Sequence, residues 1–419
     1  MITIKSRERI TKYCNKIIEI SIYFVAFYIP ISKALIETFI SLAILAWLII
    51  KVVNKTNFKK IFYPIPLSKP ILFYVLACSA SALFSSNVGI SFHHLFFKTL
   101  EYLLVFYIIV EIADKRILRN ALIALFFSVT LVGIDGVSQY FTHFDFLRHR
   151  TQVISGRING PYSTPNDFSN YVVTILPLVA SFSFFKFKRL WIKPAVIAIF
   201  LILFICLIIS ATRSAWIAFL LAVPLICLLG NRKLFLLTLL LITIALCLLP
   251  FLPDMSKSRV VNFFNYNESE HPSHREFLWK IGLNMFLDRP ILGQGLGTFM
   301  FNFEKFKPKD YPYNWEIAYA HNCFLQIASE TGILGFLSFV FIIIVLFFTS
   351  FKLLKIVKGE QFHYYILSGL LTGIFTYLVS SFFDTNLYSL PLAVLFWLLM
   401  ALTAGINKII TLEKKLVKV

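Results

Sequence analysis

Long apolar runs, broken by short polar segments, repeat along almost the whole chain. They lie near 17–32, 35–50, 71–86, 95–113, 119–139, 171–185, 194–211, 214–230, 234–252, 331–351, 362–383 and 389–407. A helix needs about 20 apolar residues to cross the hydrocarbon core, so the pattern predicts an all-α membrane protein with about twelve transmembrane helices. The 331–351 run extends back to a helix start near Asn322.

Two longer polar segments, 140–170 and 253–320, interrupt the runs. In the second, HREFLWKIGLNMFL spaces Phe277, Leu278, Ile281, Leu283 and Met285 close to a helical period. Ser273 is the expected N-cap, with Glu276 as its capping-box partner. Pro290 stops the helix and the glycines of GQGLG follow. Trp279 and Phe286 on the apolar side suit an amphipathic helix at the membrane surface. In the first segment, the glycines and prolines of GRINGPYSTPNDFSNY fix a turn. Asn166 or Asp167 is the expected cap of the helix that follows. The chain thus divides into a transmembrane region at 1–252 with about nine spans, a large outer loop at 253–330, and a second transmembrane region at 331–419 with about three spans.

Charge gives the orientation. The N-terminal MITIKSRERITKYCNK is basic and runs into an apolar stretch with no small-residue cleavage site, so a retained first span is expected. With that terminus in the cytoplasm, every short inner loop is basic, and 26 of the 40 Lys and Arg residues lie on the inner side. This is the positive-inside pattern, and it puts both long segments outside. Hydrophobic residues make up 58% and charged residues 15%, where soluble chains carry about 25% charged residues. A soluble enzyme, a disordered chain and a repeat solenoid are excluded. The net charge of +19 therefore reports topology, and no aromatic-interleaved basic patch points to nucleic acid. Cys14, Cys78, Cys206, Cys227, Cys247 and Cys323 form no CxxC pair, so neither a disulfide framework nor a zinc site is expected.

A few outer residues carry candidate chemistry. Arg213, in SATRSAW, sits between two apolar runs with almost no loop. A charge at membrane depth is costly and is a functional candidate; the plain alternative is snorkelling at a tight hairpin. Arg275, at the start of the amphipathic helix, suits an anion, although an exposed arginine is more often solvated. Arg259 and Arg157 have similar standing. His321, followed by Asn322, opens the helix that enters the membrane. The residue types leave His321 open between a hydrogen-bonded structural role and a general base. Glu330 orients a neighbour or caps the span, and Asp384, at an outer membrane edge, pairs with a basic residue or turns a loop. No DxD, HExxH, Walker or GxSxG motif is present, which argues against a metal-dependent sugar-nucleotide enzyme.

Three segments in order, SATRSAW, the R-x-x-x-W-x-x-G-x-x-M-x-x-x-x-P-x-x-G-x-G stretch from Arg275 to Gly295, and AHNCFLQIASETGILG, resemble the signature core of the O-antigen ligase and polymerase superfamily. GRINGPYSTPNDFSNY resembles that family's outer loop before the core. The resemblance covers about 156–350 in its motifs. It implies a fold related to the glycosyltransferase C class and glycosyl transfer at the periplasmic face of the bacterial inner membrane. The implied donor is a glycan on undecaprenyl diphosphate. The acceptor is a lipid A–core sugar in a ligase, or a lipid-linked repeat unit in a polymerase. The transfer is implied to be inverting and metal-independent, with no cofactor. Carried over by motif, Arg213 and Arg275 bind the diphosphate and His321 takes the acceptor proton, in a catalytic loop at 253–330. Arg259 and Arg157 are further donor ligands, and Asp384 and Asn322 are supporting residues. The motifs favour a ligase over a polymerase. A lipid-linked oligosaccharide transporter needs charges inside several spans, and the middles of these runs are nearly free of them.

Overall fold

The computed structural model describes residues 4–56, 62–151, 156–183, 185, 189, 191–228, 236, 240, 243, 274–309, 311 and 318–417. Arg259, the expected cap Ser273 and almost all of the run at 234–252 lie outside the described residues.

Polar residues ahead of the apolar runs start the helices. α1 spans Ile4–Tyr28 and α2 spans Lys33–Val53, capped by Ser32. α3 is Ser68–Leu83, and α4, Val88–His94, is capped by Asn87. α4 continues through a π-helical turn at Leu95–Leu100 into α5, Glu101–Ile112. α6, Lys115–Thr142, is capped by Asp114, whose carboxylate accepts from the Ile117 N–H. A two-residue hairpin follows, Phe144–Asp145 against Arg150–Thr151. α7 is Pro165–Phe182, α8 is Ile192–Ile209 and α9 is Arg213–Leu228. Outside the bundle lie α10, His274–Asp288, and α11, Phe299–Phe306. α12 is Cys323–Ile356, α13 is Gln361–Ser380 and α14 is Leu390–Val417, with a 3₁₀ turn at Asn386–Tyr388 before it.

Two local expectations are corrected. Thr164 caps α7, its hydroxyl accepting from the Asp167 N–H, in place of Asn166 or Asp167. Pro165 takes the first helical position, where a missing N–H does no harm, and this moves the cap one residue ahead of it. On α10, Phe277, Leu278, Ile281 and Met285 are buried, but Leu283 is 47% exposed and lies with Leu287 on the opposite side. The helix carries apolar residues on two faces, so one period did not define the buried one.

Among the described residues six helices are long and apolar enough to cross a membrane, at Lys33–Val53, Lys115–Thr142, Ile192–Ile209, Cys323–Ile356, Phe362–Ser380 and Leu390–Lys414. Shorter apolar helices occupy Ser68–Leu83 and Arg213–Ala222. The remaining described runs also fall on helices, α1, α5 and α7. Large apolar side chains such as Leu45, Leu72, Phe127, Ile205 and Phe348 are exposed, as lipid-facing positions are. α14 is the opposite case. Its apolar window is wholly buried, and a helix apolar all round belongs at the centre.

Polar contacts gather at the two ends of the bundle. At one end Lys51 pairs with Glu111 at 2.6 Å, Lys408 donates to the Glu111 carbonyl at 2.6 Å, and Lys115 pairs with Glu413 at 2.7 Å. At the other end Ser86 N–H donates to the Gln294 carbonyl at 2.8 Å, and Asn170 donates to Asn386 at 2.7 Å. There the segment after α10 lies along a bend in α12. Gln294 and Gly295 donate to the Ser329 and Glu330 carbonyls, and Ile333 donates to the Pro290 carbonyl, all within 3.0 Å. Gly332 makes the bend, with φ of +63°. A Cβ there would strike the Ile291 carbonyl, so glycine is needed both for the backbone angle and for the close approach.

Candidate active site

The site forms where four segments meet at the second end of the bundle. His321 directly precedes the α12 cap. Asn322 fills that cap, its side-chain oxygen accepting from the Phe324 and Leu325 N–H groups at 3.0 Å each. The capping geometry turns the chain sharply, and His321 takes a left-handed backbone with φ of +47°. Such a conformation is uncommon for a non-glycine residue and recurs at functional sites. The Cys323 N–H donates to the Ser381 carbonyl at 2.8 Å, which fastens this corner to the end of α13.

The corner brings His321 Nδ1 to 3.1 Å from Asp384 Oδ1. Asp384 lies in the turn between α13 and the 3₁₀ segment and also accepts from the Thr385 N–H at 2.9 Å. Burial alone would raise its carboxyl. The His321 hydrogen bond and charge, the Thr385 N–H and the Arg275 guanidinium outweigh burial and hold it below the usual carboxylate range. A carboxylate only accepts, so Nδ1 of His321 carries the proton in this contact and Nε2 is the ring nitrogen left over. The ring is about a third exposed while Asp384 is almost covered. A carboxylate held against one ring nitrogen can orient a histidine for proton transfer through the other.

Arg275, in the first turn of α10, is the electrostatic neighbour of both Asp384 and Arg213. Burial pushes its guanidinium below the usual arginine range; Asp384 works against that shift and Arg213 adds to it. Arg213 opens α9 and is exposed. It follows a hairpin only three residues long, Ser210–Thr212, whose middle residue Ala211 has φ of +52°. Two neighbouring guanidiniums make a place that an anion with several oxygens relieves.

Arg157 stands behind this hairpin. It is 6% exposed. Its Nε donates to the Ser210 carbonyl at 2.9 Å, and a terminal nitrogen donates to Thr212 at 3.0 Å and to Asn166 at 3.2 Å. Ser169 donates to the Thr212 hydroxyl at 2.7 Å. Arg157 thus fixes the turn that presents Arg213.

Sequence reasoning named Asp167 only as a cap. It lies in the first turn of α7, ahead of the apolar stretch. Burial and the Asp384 charge push its carboxyl up to about 6, against the pull of Lys33 and His321. Its only sequence signal was a carboxylate in a Pro- and Gly-rich outer turn. Glu330, buried, organises the neighbouring loop. Its two oxygens accept from the Gly297 and Phe299 N–H groups, the Tyr388 hydroxyl and the Gln326 amide at 2.8–3.3 Å. Glu330 also lines a cavity of about 450 Å³, together with Tyr319, Leu387 and Tyr388.

Among the described residues one group has ligand atoms close enough to hold a metal ion, Glu360, His363 and Glu413, within 4.8 Å of one another. It lies at the far end of α13 from Asp384, roughly 30 Å away for a helix of that length. It is not part of the His321 site.

Apolar helices with exposed apolar side chains, several of them long enough to cross a membrane, fit a multi-pass membrane protein. Residues 198–340 match the family model described as O-antigen ligase. The resemblance to the O-antigen ligase and polymerase superfamily therefore holds, on a segment that includes Arg213, Arg275 and His321 and leaves out Arg157 and Asp384. No curated protein matches the chain.

Proposed function

We propose that the protein is an O-antigen ligase-like glycosyltransferase, moving a glycan from undecaprenyl diphosphate to a lipid A–core sugar at the periplasmic face of the inner membrane. The observation that carries the reading is the His321–Asp384 pair at 3.1 Å, set beside Arg275 and Arg213. His321 Nε2 removes the proton of an acceptor hydroxyl as its oxygen attacks the donor's anomeric carbon from the face opposite the diphosphate. The carbon–oxygen bond to the diphosphate breaks and the anomeric centre inverts. Arg213 and Arg275 receive the charge that grows on the leaving oxygens, and preorganised cations suit that task. Asp384 stabilises the imidazolium that results. The twelve-span topology, with both termini in the cytoplasm, belongs to the same reading and is supported by the basic residues Lys51, Lys115 and Lys408 at the end of the bundle away from His321.

Complementation tests this. Expressed in strains lacking either the ligase or the polymerase, the gene should restore polymeric glycan on lipid A–core in the first strain only. Restoration of the ladder only in the polymerase-deficient strain would assign repeat-unit polymerisation instead.

A further inference from the structure

The reading above leaves the acceptor without a seat. Donor diphosphate occupies the arginine side of His321, so the attacking sugar must approach from elsewhere. A cavity of about 450 Å³ has Tyr319 and Leu387 in its lining and neither arginine. Both are sequence neighbours of the pair, Tyr319 close before His321 and Leu387 close after Asp384. The Tyr319 and Tyr388 rings are tilted 39° to one another with centroids 5.4 Å apart, and they and Trp397 form part of the wall. Aromatic residues with polar tips suit a ligand that has both an apolar face and hydroxyls.

The charged groups in the wall narrow the ligand further. Glu330 lines the cavity, but four donors already occupy its two oxygens. Lys98 and Glu37 form a loose, largely exposed contact at 3.8 Å, the kind of pair worth little in water. Lys33 also lines the cavity, and among the described residues it makes no ion pair. It acts instead at longer range on Asp167, next to the His321 pair. His94 also lines the cavity, its ring packed against the Gly297 backbone; burial pushes its imidazole below the usual range, so it adds no cation. Lys33 is thus the cation on the wall with no ion-pair partner among the described residues, while Lys98 shares its loose contact with Glu37.

We propose that this cavity is the acceptor subsite, and that it takes a sugar bearing an anionic substituent, a carboxylate or a phosphate, held by Lys33 and Lys98 against the Tyr319–Tyr388 wall. The acceptor role rests on the transferase reading; the binding itself does not.

Saturation-transfer NMR on the full chain in lipid nanodiscs tests it, with methyl glucuronide, methyl glucoside and inorganic phosphate as probes. The glucuronide should bind at least about tenfold more tightly than the neutral glucoside, the worth of one hydrogen bond to a charged group. Lys33→Gln with Lys98→Gln should abolish that difference, and Lys33→Arg should keep it. Equal binding of the two glycosides by the unaltered protein overturns the proposal, as does a difference that survives the double substitution. Inorganic phosphate competing as well as the glucuronide removes the sugar half of it. Because the measurement needs neither donor nor turnover, a negative result leaves the transferase reading in place. A failed complementation leaves the binding result equally interpretable.

Discussion

His321 Nδ1 and Asp384 Oδ1 lie 3.1 Å apart although 63 positions separate the two residues in the chain. The contact fixes which ring nitrogen is free, and it makes the turn after α13 as much a part of the site as the helix start that carries the histidine.

His321→Ala should bind the lipid-linked donor normally, because both arginines remain. Glycan transfer should fall by roughly 10²–10⁴-fold, the usual worth of a general base. His321→Gln keeps hydrogen-bonding capacity but not basicity and should fall as far. Transfer assayed with purified protein decides it; an active glutamine variant leaves His321 an anchor only.

Asp384→Asn should lower transfer with a weaker effect on donor binding, since the imidazolium loses its counter-charge. The stability effect has a definite sign. The folded carboxyl is held below its ordinary range, so the stabilisation it brings is fully present above the unfolded value, about 3.9, and is lost as pH falls through the lower folded value. The difference in melting temperature between the unaltered protein and the asparagine variant should be present at neutral pH and shrink as pH falls below about 4. A difference that disappears near neutrality would contradict a carboxylate held charged by His321 and Arg275.

Arg213 and Arg157 should separate cleanly. Arg213→Lys keeps the charge without the planar fork that grips two phosphate oxygens, so transfer should drop while the melting temperature stays. Arg157→Met removes the partner of the buried Ser210 carbonyl and should cost about 1–3 kcal/mol of stability. Its loss of transfer should follow the loss of folded protein. Thermal unfolding and transfer measured on both variants give the comparison; a stable, inactive Arg157→Met would place that guanidinium on the substrate.

Reporter fusions at residues 60, 190 and 290 should read cytoplasm, cytoplasm and periplasm. The basis is the 26 basic residues counted on the inner side. An outward reading at 190 would break the helix count.

The transmembrane helices were legible because lipid demands continuous apolar runs, and each described run falls on a helix. Arg213, Arg275 and His321 stood out in the sequence because charge and imidazole beside long apolar runs are rare, and the fold brings Arg213 and Arg275 within electrostatic reach of each other and His321 onto Asp384. The partner of His321 was not, since nothing local links an HN pair to a DTN turn on the far side of two helices. Asp384 read equally well as a loop turn. Arg157 carried the right chemistry for an anion ligand, and only its three bonds to Ser210, Thr212 and Asn166 reveal a brace. Lys33 gave no signal at all, being the first residue of an ordinary apolar helix.

The backbone pairing between the segment after α10 and the bend at Gly332 joins Arg275's helix to the helix that carries His321. Arg213 belongs to other masonry, the α8–α9 hairpin braced by Arg157 and packed on α7 and α13. The two guanidiniums thus stand on opposite banks and repel one another across the gap. An anion gripped by both is a keystone: it cancels the repulsion and locks the banks together. Inorganic pyrophosphate should accordingly raise the melting temperature of the unaltered protein through simple mass action, and it should do so far less when either bank has lost its arginine.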